Sequence, residues 1–147
     1  MNKGEIAKQN FLSGKNCAQA VVLAFKDEIG LDESVLNKLS IGFGGGLARQ
    51  RLVCGAVSGM TLVLSCLLSN GNDKLETYAI IQRACEEFKK ELGSLICEEL
   101  LSGVETKKGL IAEERTVEYY KKRPCADICK LAGDIAQKFI EENKKTL

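Results

Sequence analysis

Seven cysteines and no histidine define the chemistry open to this chain of 147 residues. Without an imidazole, the commonest general base and the commonest nitrogen ligand for metals are absent. Neither Ser-His nor Cys-His catalysis is available within the chain. Thiol chemistry remains, and the odd count excludes complete pairing of the cysteines inside one molecule. Met1 to Asn16 is polar, mixed in charge and without an apolar signal core. A cytoplasmic, reducing location is therefore expected, where free thiols are the rule.

Four of the cysteines fall where helices should begin. Cys17 follows Asn16, a candidate N-cap with Gln19 three residues on. Cys54 opens an apolar segment, close behind Arg49 and Arg51. Cys97 comes three residues after a Ser94 cap, and Cys125 directly follows Pro124 and the basic run Lys121, Lys122, Arg123. Unpaired N–H groups and the helix dipole favour a thiolate at such positions, and nearby cations add to the effect. Cys17, Cys54, Cys97 and Cys125 are accordingly expected to line one site as catalytic thiols of low pKa. Glu98 and Glu99 work against a low pKa at Cys97, which suits a resolving or structural partner. Cys66, Cys85 and Cys129 fall in helix interiors and read as small buried hydrophobes.

Two chemistries fit such a set. Thiols can cycle through disulfides with a redox partner, one attacking and one resolving. Alternatively, the same four thiolates can hold an iron–sulfur cluster or zinc. The spacings from 17 to 54, 97 and 125 contain no C-x-x-C, so convergence must come from the fold. A third reading is non-catalytic: a helical interaction module in which Gly55 and Gly59 pack helices within or between subunits, the latter giving a homodimer.

The stretch GFGGGLARQRLVCGAVSGM, Gly42 to Met60, has to position Cys54. It does not complete a dinucleotide fingerprint, because the sixth position is Leu47 or Arg49 instead of glycine. Gly42, Gly44, Gly45 and Gly46 read as turn residues leading into a helix. Leu52 to Ser69 is eighteen residues without a charge, which reaches the threshold length for a membrane span. Polar Ser58, Thr61 and Ser65 dilute it and no second segment matches it, so a buried central helix is expected and no membrane span. Gly55 and Gly59 share one face of that helix and leave room for a second helix or a ligand. With Arg49 and Arg51, which would favour a thiolate or an anionic ligand, they form the expected substrate-binding set.

Helical spacing and stop signals dominate the remainder. A first helix carries Ile6, Phe11 and Leu12 and ends near Gly14. The second carries Ala20, Val21, Ala24 and Phe25 and stops before Gly30. Asp32 caps a short third helix. A helix beginning at Asn72 or Asp73 has a stripe of Leu75, Ala79, Ile80, Ala84 and Phe88 and ends at Gly93. Residues 103–123 form a charged connector with a helical piece over 112–121. Pro124 suits the first position of a final helix carrying Ile128, Leu131, Ile135, Ala136 and Ile140. The fold class is all-α: a single domain over residues 1–147, a bundle of seven or eight helices around the glycine-containing apolar helix. A net charge of +1 and 5% aromatic residues argue against nucleic acid as a partner.

Over nearly its whole length the chain resembles the C_GCAxxG_C_C family, small proteins named for four cysteines and a CGAxxG motif. The motif stands here as Cys54-Gly55-Ala56-Val57-Ser58-Gly59. The first family cysteine matches Cys17 in NCAQAV, the third matches Cys97 in GSLICEELL, and the fourth matches Cys125, with Cys129 the weaker registration. The resemblance implies a redox role, which is itself ascribed to the family from its cysteines. A similar segment in some multihaem or iron–sulfur electron-transfer proteins keeps the cluster alternative open. No C-x-x-C-H haem attachment site is present. Nothing functional carries over to Cys66, Cys85 or Cys129.

Overall fold

Asn16 closes a capping box at the start of the second helix. Its side chain accepts from the Gln19 N–H, and the Gln19 side chain accepts from the Asn16 N–H. The computed structural model describes residues 1–144; residues 145–147, the end of the span expected as one domain, lie outside the described residues. Among the described residues there are nine helices and no β-sheet. They are α1 (Lys3–Leu12), α2 (Cys17–Ala24), α3 (Lys26–Ile29), α4 (Glu33–Ser40), α5 (Gly55–Leu68), α6 (Lys74–Leu92), α7 (Cys97–Leu100), α8 (Val117–Lys122) and α9 (Cys125–Lys144). A 3₁₀ turn, Ile41–Phe43, follows α4. The fold is all-α, as the helical spacing predicts.

Helix α2 packs against α1, α4, α5 and α9, and α5 packs against α2, α6 and α9. Every residue of α2 from Ala18 to Ala24 is buried, so it shares the centre of the bundle with the apolar α5. Met60, Val63 and Leu64 of α5, with Phe11, Phe25 and Phe88, are the large side chains wholly removed from water. Each contributes roughly 1.5–3 kcal/mol by burial alone.

Two glycine contacts set helix spacing. A Cβ on Gly59 would stand 2.9 Å from the Ala18 carbonyl oxygen. One on Gly55 would stand 2.9 Å from the Phe43 oxygen and 3.2 Å from the Cys17 Cβ. The glycine pair of α5 is thus occupied by α2. Gly4 and Gly133 do the same for α1 and α9, where a Cβ on Gly133 would lie 2.9 Å from the Gly4 Cα.

Several boundaries differ from the expectation. The second helix breaks at Phe25, so the run to Gly30 becomes α2 and the short α3. Helix α5 begins at Gly55 and not at Leu52, because Val53 is held in a bridge with Ile96 and the Cys54 N–H is bonded to the Leu95 oxygen. The connector helix is shorter than expected, beginning only where Thr116 caps the Tyr119 N–H. Leu75 is 86% exposed and Ala79 is also exposed, so the buried stripe of α6 narrows to Ala84 and Phe88 with Ile80 and Ile81 at its margin. Among the described residues no helix is long and apolar enough to cross a membrane.

Candidate functional site

The glycine-rich run is a left-handed turn. Gly45, Gly46, Leu47, Ala48 and Arg49 all have positive φ, between 49° and 72°, and so does Arg51 at 62°. Each non-glycine residue in this conformation costs roughly 1–2 kcal/mol. The turn is held by backbone bonds from the Arg49 N–H to Gly44, the Arg51 N–H to Gly45 and the Leu52 N–H to Gly46. Gly46 admits no side chain: a Cβ there would lie 2.7 Å from the Cys97 Cβ and 2.7 Å from the Leu52 nitrogen. The turn delivers Arg49, Arg51 and Cys54 to one place. Strain of this kind persists only where the surrounding structure over-determines it, and it gathers at functional sites.

Helix starts converge on a cavity of about 550 Å³, lined by Cys17, Cys54, Cys97 and Cys125. Cys17, Cys97 and Cys125 are the first residues of α2, α7 and α9, and Cys54 is the residue before α5. The segments that carry Cys54 and Cys97 are tied together by backbone bonds. The Cys54 N–H donates to the Leu95 oxygen at 2.8 Å and the Cys97 N–H to the Leu52 oxygen at 2.6 Å, flanking an antiparallel bridge between Val53 and Ile96. On the other side the Cys17 thiol meets the thiols of both Cys125 and Cys129. Cys129 also directs its Sγ at the Cys17 carbonyl oxygen, 3.9 Å away. It is buried as expected, yet it belongs to the thiol group and is not a remote core residue. Cys85 is half-buried and Cys66 is exposed, which corrects the expectation that both are core residues. Gly55 lines the cavity, whereas Gly59 faces Ala18 and Val21 and does not.

Four arginines ring the thiols, against a single carboxylate, Glu113. Arg51 is 5% exposed and donates through Nε and Nη2 to the Lys107 oxygen, while its Nη1 lies 3.7 Å from the Cys97 Sγ. Arg49 donates to the carbonyl oxygens of Lys107 and Gly109 and lies 3.8 Å from Glu113. Arg123 is buried and pairs with Glu113. Arg115 donates to the Phe11 and Lys15 oxygens and stacks over the Phe11 ring at 4.2 Å. These contacts fasten residues 105–115 across the cavity mouth as a strap.

Residues 15–139 match the family described as "Putative redox-active protein (C_GCAxxG_C_C)". The chain belongs to this family. No curated protein and no solved structure matches it. The C_GCAxxG_C_C match spans the four thiols that line the cavity and Cys129 behind them.

The thiols of this C_GCAxxG_C_C protein are not the depressed-pKa thiolates that helix starts predict. Burial pushes Cys54 up to about 12; the Ala56 and Val57 amides oppose this, and the Cys97 and Cys125 charges add to it. Burial also raises Cys97, opposed by its hydrogen bond to Arg51 and by that guanidinium's charge. Cys125 is raised by its hydrogen bond to Cys17, then by burial and the Cys17 charge, with Arg123 and Arg115 opposing. The contact with Cys125 favours the Cys17 thiolate, but Cys129, burial and the neighbouring thiols outweigh it, and Cys17 ends well above the usual thiol range. Cys129 also ends raised: its hydrogen bond to Cys17 lowers it, but burial and the charges of Cys54 and Cys125 prevail. Burial raises all five, and at Cys125 the hydrogen bond to Cys17 raises it further; the cost of desolvating an anion beside other sulfurs exceeds what a helix terminus returns to the four at helix starts.

Arg51 acts on Cys97 and not on Cys54, its nearer neighbour in sequence, because the bridge at Val53 and Ile96 turns the chain between them. Arg123 is signalled in the sequence by the basic run before Cys125, whereas Glu113, Arg115 and Tyr119 also line the cavity and nothing in the spacing marks residues 113–119 as part of a site.

Proposed function

We propose that the chain is a thiol–disulfide redox protein in which buried cysteines alternate between neutral thiols and disulfides. The observation that carries this reading is the gathering of thiols on adjoining segments: Cys54 and Cys97 stand on two segments bridged at Val53 and Ile96, and the Cys17 thiol is in contact with those of Cys125 and Cys129. The attacking thiol must lose its proton before it attacks, and burial makes that step costly. Forming a disulfide removes two protons and two electrons and so never requires two adjacent thiolates at once. In exchange with a partner disulfide, two protein thiols become one disulfide and the partner leaves as two thiols. The Arg51 guanidinium beside Cys97 supports that thiol as the first nucleophile, and Cys54 is placed to resolve the mixed disulfide.

Four cysteine thiols are also the donor set of zinc or an iron–sulfur cluster. Among the described residues, however, no group of three or more cysteine, aspartate or glutamate side chains is placed so that it could hold a metal ion, which favours the thiol–disulfide reading.

The test is equilibration of the reduced protein in a series of dithiothreitol redox buffers, followed by mass-spectrometric mapping. Two two-electron transitions, four electrons in all, are expected, one linking Cys54 to Cys97 and one linking Cys17 to Cys125 or Cys129. Thiols that stay reduced across the whole range, or stoichiometric iron or zinc in anaerobically purified protein, would overturn the proposal.

A further inference from the structure

The redox reading does not say what exchanges electrons with the thiols, but the cavity restricts the choice. Cys54, Cys97 and Cys125 are each at most 8% exposed. The sulfur of a folded partner would have to enter beneath the strap to reach them. A volume of about 550 Å³ falls within the range of small-molecule sites. The charge of the walls restricts it further. Glu113 is shared between Arg49 and Arg123. Among the described residues no carboxylate lies within ion-pair distance of Arg51 or Arg115. Carbonyl oxygens hold these guanidiniums in place without cancelling their charge. Arg51 is buried and Arg115 half-buried; a cation withdrawn from water with no counter-anion is costly and is relieved by an anion brought into the cavity.

Resting on the exchange reading above, we propose that the substrate is a small disulfide carrying two negatively charged groups, seated on the arginines of the cavity with its sulfur–sulfur bond facing Cys97. Three positive charges stand uncompensated once Glu113 is counted. A dianion together with one cysteine thiolate balances them. The Cys97 thiol gives up its proton, and its sulfur attacks one sulfur of the substrate. The substrate S–S bond breaks, and the first half leaves as a thiolate that takes up a proton. The Cys54 sulfur then attacks the Cys97 sulfur of the mixed disulfide, and the second half leaves as a thiol. The protein is oxidised by two electrons to the Cys54–Cys97 disulfide, and the substrate is reduced to two thiols.

The test compares three small disulfides of similar size on the reduced protein: dithiodipropionate, a dianion; hydroxyethyl disulfide, neutral; and cystamine, a dication. The readout is the rate at which Cys54 and Cys97 are lost as free thiols, followed by quenched mass spectrometry. Thiolates alone attract the dication, so the order expected from the arginines is the reverse of the ordinary one. The dianion should react about tenfold or more faster than the dication. In Arg49→Gln the ratio of dianion to neutral rates should fall severalfold. Should that variant misfold, the ranking in the unaltered protein decides the matter. If none of the three oxidises the cavity thiols, the exchange reading itself fails. If all three do but the dication matches or exceeds the dianion, or if oxidised thioredoxin outpaces every small disulfide, exchange stands and the small-anion assignment is overturned.

Discussion

Cys54 shows how position on a helix and position in a cavity pull a thiol in opposite directions. Lying just before α5, it is opposed in its rise by the Ala56 and Val57 amides, yet burial carries it to about 12 against an ordinary 9.0. The folded protein therefore keeps a proton that the unfolded chain releases above pH 9. Unfolding then sheds protons between pH 9 and 12, so stability is level below pH 9 and declines across that window. The slope contributed by each such thiol is at most about 1.4 kcal/mol per pH unit. Urea unfolding of the reduced protein at pH 8 and pH 10 should show the loss, and Cys54→Ser should lose less. An equal loss in the variant would place the titration elsewhere. The expectation of a reactive thiolate at Cys54 rested on local signals alone. Those signals exist, but desolvation by residues distant in sequence exceeds them.

At the scale of elements, the site depends on how closely α2 and α5 approach. Gly59 puts the α5 backbone against the Ala18 carbonyl, and Gly55 puts it against Cys17. Gly59→Ala would force a methyl group to 2.9 Å from a backbone oxygen that cannot rotate away. We expect the midpoint of urea unfolding to fall by an amount equivalent to about 1–3 kcal/mol, and Cys17 to be displaced from Cys125 and Cys129. An unchanged midpoint would mean that α2 shifts freely. The G-x-x-x-G spacing announced this close packing, though not which helix supplies the other face. The Asn16–Gln19 box was legible for the same reason: both are local patterns. The left-handed turn was legible only in part. Glycines at 45 and 46 suit positive φ, but Leu47, Ala48, Arg49 and Arg51 adopt it against their own preference. Tertiary bonds to the strap and to the bridge at Ile96 compensate for that cost.

Across the whole molecule, stability is unevenly distributed. The buried faces of α2, α5 and α9 form one apolar core. The strap over residues 105–115 is mostly exposed, with Leu110 and Ile111 at 97% and 86%, and it is fastened through a few arginine contacts. Local opening follows such differences. Amides of residues 105–112 should exchange with solvent at least about a hundredfold faster than those of α2 and α5, measured by hydrogen–deuterium exchange with mass spectrometry. Protection of the strap equal to that of α5 would make it part of the core and would close the route to the thiols.

The sequence by itself determined the helical class, most helix starts and stops, the close packing at Gly55 and Gly59, and the family. Each of these follows from spacing within a few residues or from a short motif, where the interacting groups are neighbours along the chain. Only the tertiary structure decided that Cys129 joins the thiols, that Arg51 serves Cys97, that Arg115 and Arg123 complete a cationic cavity, and that the thiols rest protonated. Those outcomes depend on burial and on distances between segments as far as 112 residues apart. Desolvation and Coulomb energies act through space, and no local pattern records them.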